Sequence, residues 1–289
     1  MNINVLRRQD WQGNTPGCWQ NSPRQSQIQI MHKPLVQAII AGVQKGGTTS
    51  LFRYLQNHPQ LQPPLQKELH FFDDESVDWK RPNYQILHSA FGPVNEKRKA
   101  FEATPIYIFW PPALPRIKSY NPEMKLLFLF RDPIERAWSN WKMEISRGRE
   151  TLPFTLAIRE GRKRLQNIHE LDRPWRLFSY VERGFFSGQV KKALELFPRD
   201  QLLFLRSNDL KNDHRGTLRA ITDFLQIDPL PDVAARFDHR TRPVNYRLSA
   251  ADVEFLRATY RPDVLEFAKL TDLSVSDWPT VNSSITIPN

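Results

Sequence analysis

Residues Gly42 to Ser50 read GVQKGGTTS and follow the apolar run VQAIIA. A glycine-rich turn between a buried strand and a helix start suits an anion, because backbone N–H groups converge there with the positive end of the helix dipole. In the spacing of a phosphate-binding Walker loop, G-x-x-x-x-G-K-[ST], Gly42 and Gly47 keep the two glycine positions and Thr49 keeps the hydroxyl. Thr48 stands where the lysine belongs, and the lysine has moved into the turn as Lys45. The backbone N–H groups of Gly46, Gly47, Thr48 and Thr49 are expected to face a ligand. Thr48, Thr49 and Ser50 add hydroxyl donors, and Lys45 adds a positive charge. The bland alternative is a strand–turn–helix corner with a surface lysine. Glycines, hydroxyls and lysine together after a buried strand favour a phosphate-type ligand.

Two further constellations carry chemistry. In KLLFLFRDPIERAWSNW, Arg131 ends an apolar run and Ser139 follows about two helical turns later. A guanidinium fork with a hydroxyl suits a phosphate, and the end of a strand in an open α/β sheet is where ligands bind. The alternative for Arg131 is an ion pair with Asp132 or Glu135. Trp138 and Trp141, three apart, are expected to pack rather than bind. In QKELHFFD, Glu68, His70 and Asp73 fall within six residues. If that segment is extended, Glu68 and His70 share a face, where a carboxylate and an imidazole could do acid–base work. Metal ligation fits the residue types, but no second His or Cys cluster completes a site.

These residues need a scaffold that brings several strand ends together, and the patterning supplies one. VQAIIAGV, KAFEA at 99–103, KLLFLFR at 125–131 and QLLFLR at 201–206 are expected as strands. Helices are expected over 48–57, from Pro105, from Pro133 to Gly148 behind an Asp132 N-cap, over 153–169 and 184–197, through LKNDHRGTLRAITDFLQ, and over 249–270. LHFF at 69–72 is a short extended or turn segment, and 227–248 is irregular. Strands alternating with helices predict an α/β fold, a P-loop-like domain with a central parallel sheet flanked by helices. The chain is expected to divide into a flexible N-terminal arm at 1–34, rich in Gln, Asn, Arg and Pro, and a single domain at 35–289.

Composition sets outer bounds. The 289 residues are 40% hydrophobic and 25% charged, as in a water-soluble globular protein. No apolar run reaches the roughly 18 residues of a membrane span, and the N-terminus lacks a secretory h-region. Cys18 is the single cysteine, so no intrachain disulfide forms, which favours a reducing compartment. A net charge of +10 suits an anionic ligand, a membrane surface or nucleic acid. GRKRL at 161–165 is the densest basic run, and no nucleic-acid motif is present, so no nucleic-acid partner is expected.

Taken together, the loop with its early lysine, the R-D-P-x-x-R-x-x-S-x-W block and K-E-x-H-F-F-D resemble the PAPS-dependent sulfotransferases, nearest the heparan-sulfate-type and bacterial branch. The resemblance runs from about Leu35 to beyond Leu210 and includes YVERGFFSGQVKKALELFPRDQLLFLRSNDL. It implies PAPS as co-substrate and PAP as product, with no metal required. It implies that Lys45, Gly46, Gly47, Thr48, Thr49 and Ser50 bind the 5′-phosphosulfate side, with Lys45 stabilising the leaving group. It further implies that Arg131 and Ser139 hold the 3′-phosphate, that Glu68 is the general base, and that His70 and Asp73 complete the acceptor side. The resemblance departs in two places. Several heparan-sulfate enzymes carry a lysine after the glutamate that precedes Thr-Pro. Here FEATPIY has Ala103 there, which puts a heparan-type acceptor in question. The single cysteine excludes the disulfide some of them use near the cofactor, and RTRPVNYR at 240–247 is the segment expected to close over the nucleotide instead.

The expected acceptor is a hydroxyl, or an amine, on a carbohydrate, lipid or small metabolite. Phe71, Phe72, Tyr107, Phe109 and Trp110 are candidates to line its cleft, although such aromatics more often belong to a core. The expected setting is cytoplasmic, as for a soluble enzyme of bacterial type. Two rival readings remain: a P-loop kinase or NTPase, against which Thr48 in the lysine position argues, and a non-catalytic nucleotide- or polyanion-binding module, which would not need Glu68 and His70.

Overall fold

Mostly apolar runs, and one two-residue segment, become the strands of one sheet. In the computed structural model, which describes residues 35–93, 95–231 and 246–287, these are β1 (Val36–Gly42), β2 (Leu61–Gln62), β3 (Lys99–Ala103), β4 (Lys125–Phe130) and β5 (Leu202–Arg206). Their order is β2-β3-β1-β4-β5, and every pairing is parallel. In β1, Ile40 pairs with Ala103 on one side and Leu127 on the other, so the segments leaving β3, β1 and β4 emerge side by side. That edge is where an open α/β sheet collects its ligand-binding loops.

Both faces are covered, which is why the strands read as apolar runs rather than alternations. Ile39, Ala41, Leu126, Phe128 and Phe130 point into a core built with α3 (Ala113–Tyr120), α4 (Pro133–Ser146), α7 (Phe186–Leu196) and α10 (Ala250–Thr271). Ala38, Ile40, Leu127 and Leu129 point the other way, onto α1 (Thr48–Leu55) and α9 (His214–Leu225). The remaining helices are short: α2 (Tyr84–Ser89), α5 (Phe154–Ala157), α6 (Arg173–Phe178) and α8 (Ser207–Asn212).

Several sequence expectations change. The helix expected over 153–169 is α5 followed, after a break at 158–159, by a 3-10 stretch, Glu160–Leu165, that contains the weak helix former Gly161. The helical stretch expected from Pro105 begins at Ala113, because Pro111 and Pro112 hold the residues before them out of the helical region. The single helix expected through 210–226 breaks at Asp213, whose carboxylate caps α9 by accepting from the Gly216 N–H at 3.0 Å. β2 is two residues long, too short to leave a pattern. Asp132 does cap α4, accepting from the N–H of Ile134 at 2.9 Å and Glu135 at 3.2 Å, with Pro133 in the first turn. The arm expected at 1–34 and the 240–245 part of the basic segment lie outside the described residues. No helix among those described is long and apolar enough to cross a membrane.

Candidate active site

The loop after β1 is shaped by close approach. A Cβ on Gly46 would lie 2.1 Å from the carbonyl oxygen of Leu129, so only glycine lets the turn pass β4. Gly47 has φ 96° and caps α1. Lys45 is itself left-handed, φ 72°, a conformation lysine adopts only when its surroundings enforce it. The Gly46 N–H, expected to face a ligand, instead donates to the carbonyl of Val43 at 2.9 Å and closes the turn. The N–H groups of Gly47, Thr48 and Thr49 have no backbone acceptor among the described residues. They are the orphan donors of a helix start. Thr48 is buried, while Thr49 and Ser50 are half-buried.

Lys45 lies among like charges. Its Nζ is 3.7 Å from Sδ of Met143 on α4. Burial, with Arg147 and Arg131 close by, pushes its pKa down to about 8, against a smaller opposing pull from Glu144. Arg131, at the end of β4, gives its Nε to Glu135 at 2.7 Å, so the ion-pair alternative is present in the structure. That pair orients the guanidinium rather than hiding it, since the Arg131 side chain stays partly exposed. Ser139 is half-buried two turns along α4, and no hydrogen bond joins it to Arg131. Trp138 and Trp141 pack as expected, stacked at 5.0 Å and 11°. A strand-end arginine, a half-buried lysine and unpaired helix-start amides on adjacent loops make a set of donors suited to a multiply charged anion.

On the other side of β1, Glu68, His70 and Asp73 form one cluster, but not by the expected route. The segment is not extended: Glu68 (φ 64°) and His70 (φ 54°) are both left-handed. The bend brings Nε2 of His70 within 3.8 Å of Oε2 of Glu68 and puts Nδ1 at 3.0 Å from Oδ2 of Asp73. The hydrogen bond to Asp73 raises the His70 pKa above its usual value, against a smaller lowering by burial. Glu68 is 42% exposed, paired with Lys67 at 2.5 Å, while Asp73 is fully buried. Among the described residues no ion pair joins Lys45 to Glu68. Of the aromatics expected to line a cleft, Phe71, Phe72, Tyr107 and Trp110 are core, and only Phe109 is partly exposed.

Three further residues around this cluster were not singled out in the sequence. Arg176, on α6, grips Asp73 through both its carboxylate and its carbonyl and lies 3.8 Å over the Trp110 ring. Arg183 is buried and donates to Oε1 of Gln44 in the β1 loop and to the carbonyl of Arg176 at 2.8 Å. It therefore ties the anion-side loop to the element that holds Asp73. Glu102, buried on β3, is pushed up to about 7 by burial, against the Thr104 and Tyr107 hydroxyls, which favour its ionised form. VERG and FEAT lie inside stretches of the family resemblance that did not mark Arg183 or Glu102 as such, and WRLF lies in no motif. Among the described residues no group of His, Cys, Asp or Glu is placed to hold a metal ion.

Comparison with known proteins gives a consistent set. The Sulfotransferase domain family matches residues 35–249. Mouse heparan sulfate glucosamine 3-O-sulfotransferase 3A1 is 32% identical over 199 residues, 68% of this chain and 47% of that protein. Human heparan sulfate glucosamine 3-O-sulfotransferase 3B1 is 28% identical over 267 residues, 83% of this chain and 64% of that protein. The chain spans about half the length of the first of these curated relatives. A solved sulfotransferase from Alicyclobacillus acidocaldarius superposes with a TM-score of 0.69 at 26% identity, covering 84% of this chain and 98% of that one.

Proposed function

The chain belongs to the sulfotransferase domain family, and from that premise we propose that it moves a sulfuryl group from PAPS to an acceptor hydroxyl. The observation that carries the reading is Lys45: an ammonium held left-handed in the turn after β1, half-buried, and beside Arg131 and Arg147. Such a group has little purpose in a bare corner and is well suited to an anionic nucleotide.

In this reading the amides of Gly47, Thr48 and Thr49 and the hydroxyls of Thr48, Thr49 and Ser50 hold the 5′-phosphosulfate end. Gly46 supports them by allowing the close turn rather than by donating. Arg131 and Ser139 hold the 3′-phosphate. The bond between sulfur and the bridging oxygen breaks, its electron pair stays on that oxygen, and PAP leaves. A bond forms between sulfur and the acceptor oxygen, whose proton passes to Glu68. Charge grows on the bridging oxygen as the old bond loosens, so a fixed cation there is worth most in the transition state. Lys45 supplies that cation. His70, held by Asp73, stands beside Glu68 to orient the acceptor and share the proton.

The first acceptor to test is a carbohydrate hydroxyl, because the curated relatives are named for heparan sulfate glucosamine. Ala103 is buried, so that position offers no charge to a polyanionic chain. Lipid and small-metabolite hydroxyls, and amines, belong in the same panel. Titration calorimetry with PAP and ATP, with and without Mg²⁺, followed by labelled PAPS against the panel, tests the reading. Tighter binding of PAP than ATP without Mg²⁺, and label on an acceptor, are expected. Mg²⁺-dependent preference for ATP would turn the reading to a kinase, and binding without transfer to any acceptor would turn it to a nucleotide-binding module.

A further inference from the structure

The segment from Glu68 to Asp73 has no strand or helix of its own, yet it holds two left-handed residues in sequence positions 68 and 70. Backbone of that kind persists only where neighbours over-determine it. Its amides are not paired along a ladder. The N–H of His70 donates to Oγ1 of Thr104 at 3.4 Å, and the N–H of Phe72 donates to the hydroxyl of Tyr107 at 3.3 Å. Both acceptors sit in the turn that leaves β3.

Behind them stands Glu102. It lies on β3 on the same face as Ala100, fully buried, and among the described residues no cation bonds to it. Its Oε2 accepts from Oγ1 of Thr104 at 2.8 Å, its Oε1 has no hydrogen-bond partner, and Tyr107 lies against it. A carboxylate in such a place is costly, and an apolar residue would serve the sheet better. What an unprotonated side-chain oxygen provides there is a fixed acceptor, and the amide oxygen of a glutamine would provide the same. A threonine hydroxyl has one proton to give and two lone pairs. Given to Glu102, the proton cannot turn toward the loop, so a lone pair faces the His70 N–H.

We propose that Glu102, Thr104 and Tyr107 are positioning residues for the acceptor side: they fix the backbone at His70 and Phe72 and thereby set where Glu68 and His70 stand. The inference rests on the reading of Glu68 and His70 as acceptor-side groups. The reacting atoms touch none of the three.

Thr104→Val keeps the shape and removes the hydroxyl, Thr104→Ser restores it, and Glu102→Leu and Glu102→Gln make the parallel pair. Amide hydrogen exchange in the full chain is expected to rise at least tenfold at His70 and Phe72 in Thr104→Val and Glu102→Leu, with β1 and β4 unchanged. The imidazole of His70, bracketed by Asp73, Glu68 and Arg176, should shift its titration toward 6.5 in the same variants. Both effects should revert in Thr104→Ser and Glu102→Gln. PAP affinity should stay within twofold throughout. Unchanged exchange at 68–73 in Thr104→Val, or loss of protection spread over β1 and β4 as well, would overturn the proposal. A wild-type chain that transfers nothing from PAPS, while Thr104→Val still loosens this loop alone, would sink the sulfuryl-transfer reading and uphold the anchoring.

Discussion

Nδ1 of His70 stands 3.0 Å from Oδ2 of Asp73, a buried carboxylate that Arg176 grips from the other side. The arrangement fixes the ring: Nδ1–H donates to Asp73, and Nε2 is turned toward Glu68. The hydrogen bond favours the imidazolium and raises the His70 pKa above 6.5. A histidine raised on folding adds stability that is fully present below pH 6.5 and fades as pH climbs through the folded value. A proton NMR titration of His70 should therefore place its midpoint above 6.5, and Asp73→Asn should bring it back down. A wild-type midpoint at or below 6.5 would show that Asp73 does not hold the ring.

Lys45 titrates the opposite way. Its folded value, about 8, lies below the 10.5 of the unfolded chain, so the unfolded state binds more protons between those limits and this group favours folding as pH rises through them. A bound nucleotide reverses the local field and draws the proton back. At pH 8.5, PAP binding is expected to take up a proton, read as a dependence of binding enthalpy on the ionisation enthalpy of the buffer. Lys45→Met should abolish both the uptake and the transfer while the chain stays folded. Uptake that persists in Lys45→Met would assign the proton elsewhere.

The contrast between these two residues also marks what sequence could say. The positions of Lys45 in the turn after β1, Arg131 at the end of β4 and Ser139 two turns into α4 were legible, because local pattern dictates geometry there. So were β1, β3, β4 and β5, each a mostly apolar run, and the Asp132–Pro133 helix start. The Glu68–Asp73 cluster was legible as a set of residues but not as a shape. It bends through φ values that tertiary contacts impose, and the expected common face was not what joined it. Arg176 and Arg183 were not legible because each meets its partner, Asp73 or Gln44, across 103 or 139 residues of chain, and Glu102 because no local pattern marks a strand carboxylate that folding will bury. The close approach of Gly46 to Leu129 was hidden likewise, and with it the loss of one expected amide donor.

Arg131 is oriented by Glu135 at 2.7 Å before any ligand arrives. If it holds the 3′-phosphate, Arg131→Ala should weaken PAP by about 1.5–3 kcal/mol, the range for a hydrogen bond to a charged group, and leave AMP almost unaffected. Glu135→Gln should do the same to a smaller degree, by loosening the guanidinium. Paired titrations of PAP and AMP decide it: equal losses for both nucleotides count against the role.

Glu68 is open to solvent and, among the described residues, pairs with Lys67 and, more loosely, His70. As a general base it should matter to turnover and not to nucleotide affinity. Glu68→Gln is expected to lower kcat by roughly 10²- to 10⁴-fold with PAP affinity within twofold. Steady-state kinetics on whichever acceptor takes label, beside PAP calorimetry, separates the two. A variant that loses PAP affinity and keeps kcat removes Glu68 from the base role.

Asp132 joins the site to the end of the chain. Oδ1 caps α4, and Oδ2 accepts from the N–H of Thr280 at 2.9 Å. Burial pushes its pKa up to about 6 from an unfolded 3.8. Between those values the native state holds the proton that the unfolded chain has released, so this group loses stabilising power as pH rises from about 4 to 6. Two substitutions divide the cap from the charge. Asp132→Ala removes both acceptors and should cost about 1–2 kcal/mol for the cap, with more for the buried Thr280 N–H left unpaired. Asp132→Asn keeps an oxygen for the cap, gives up the Thr280 acceptor and cannot ionise. It should therefore destabilise clearly at pH 4 and much less at pH 7, where the wild type bears the burial of its charge. Urea denaturation of both variants at the two pH values provides the comparison. A penalty for Asp132→Asn that is the same at pH 4 and pH 7 would mean that the carboxylate ionises in the native state as freely as in the unfolded chain.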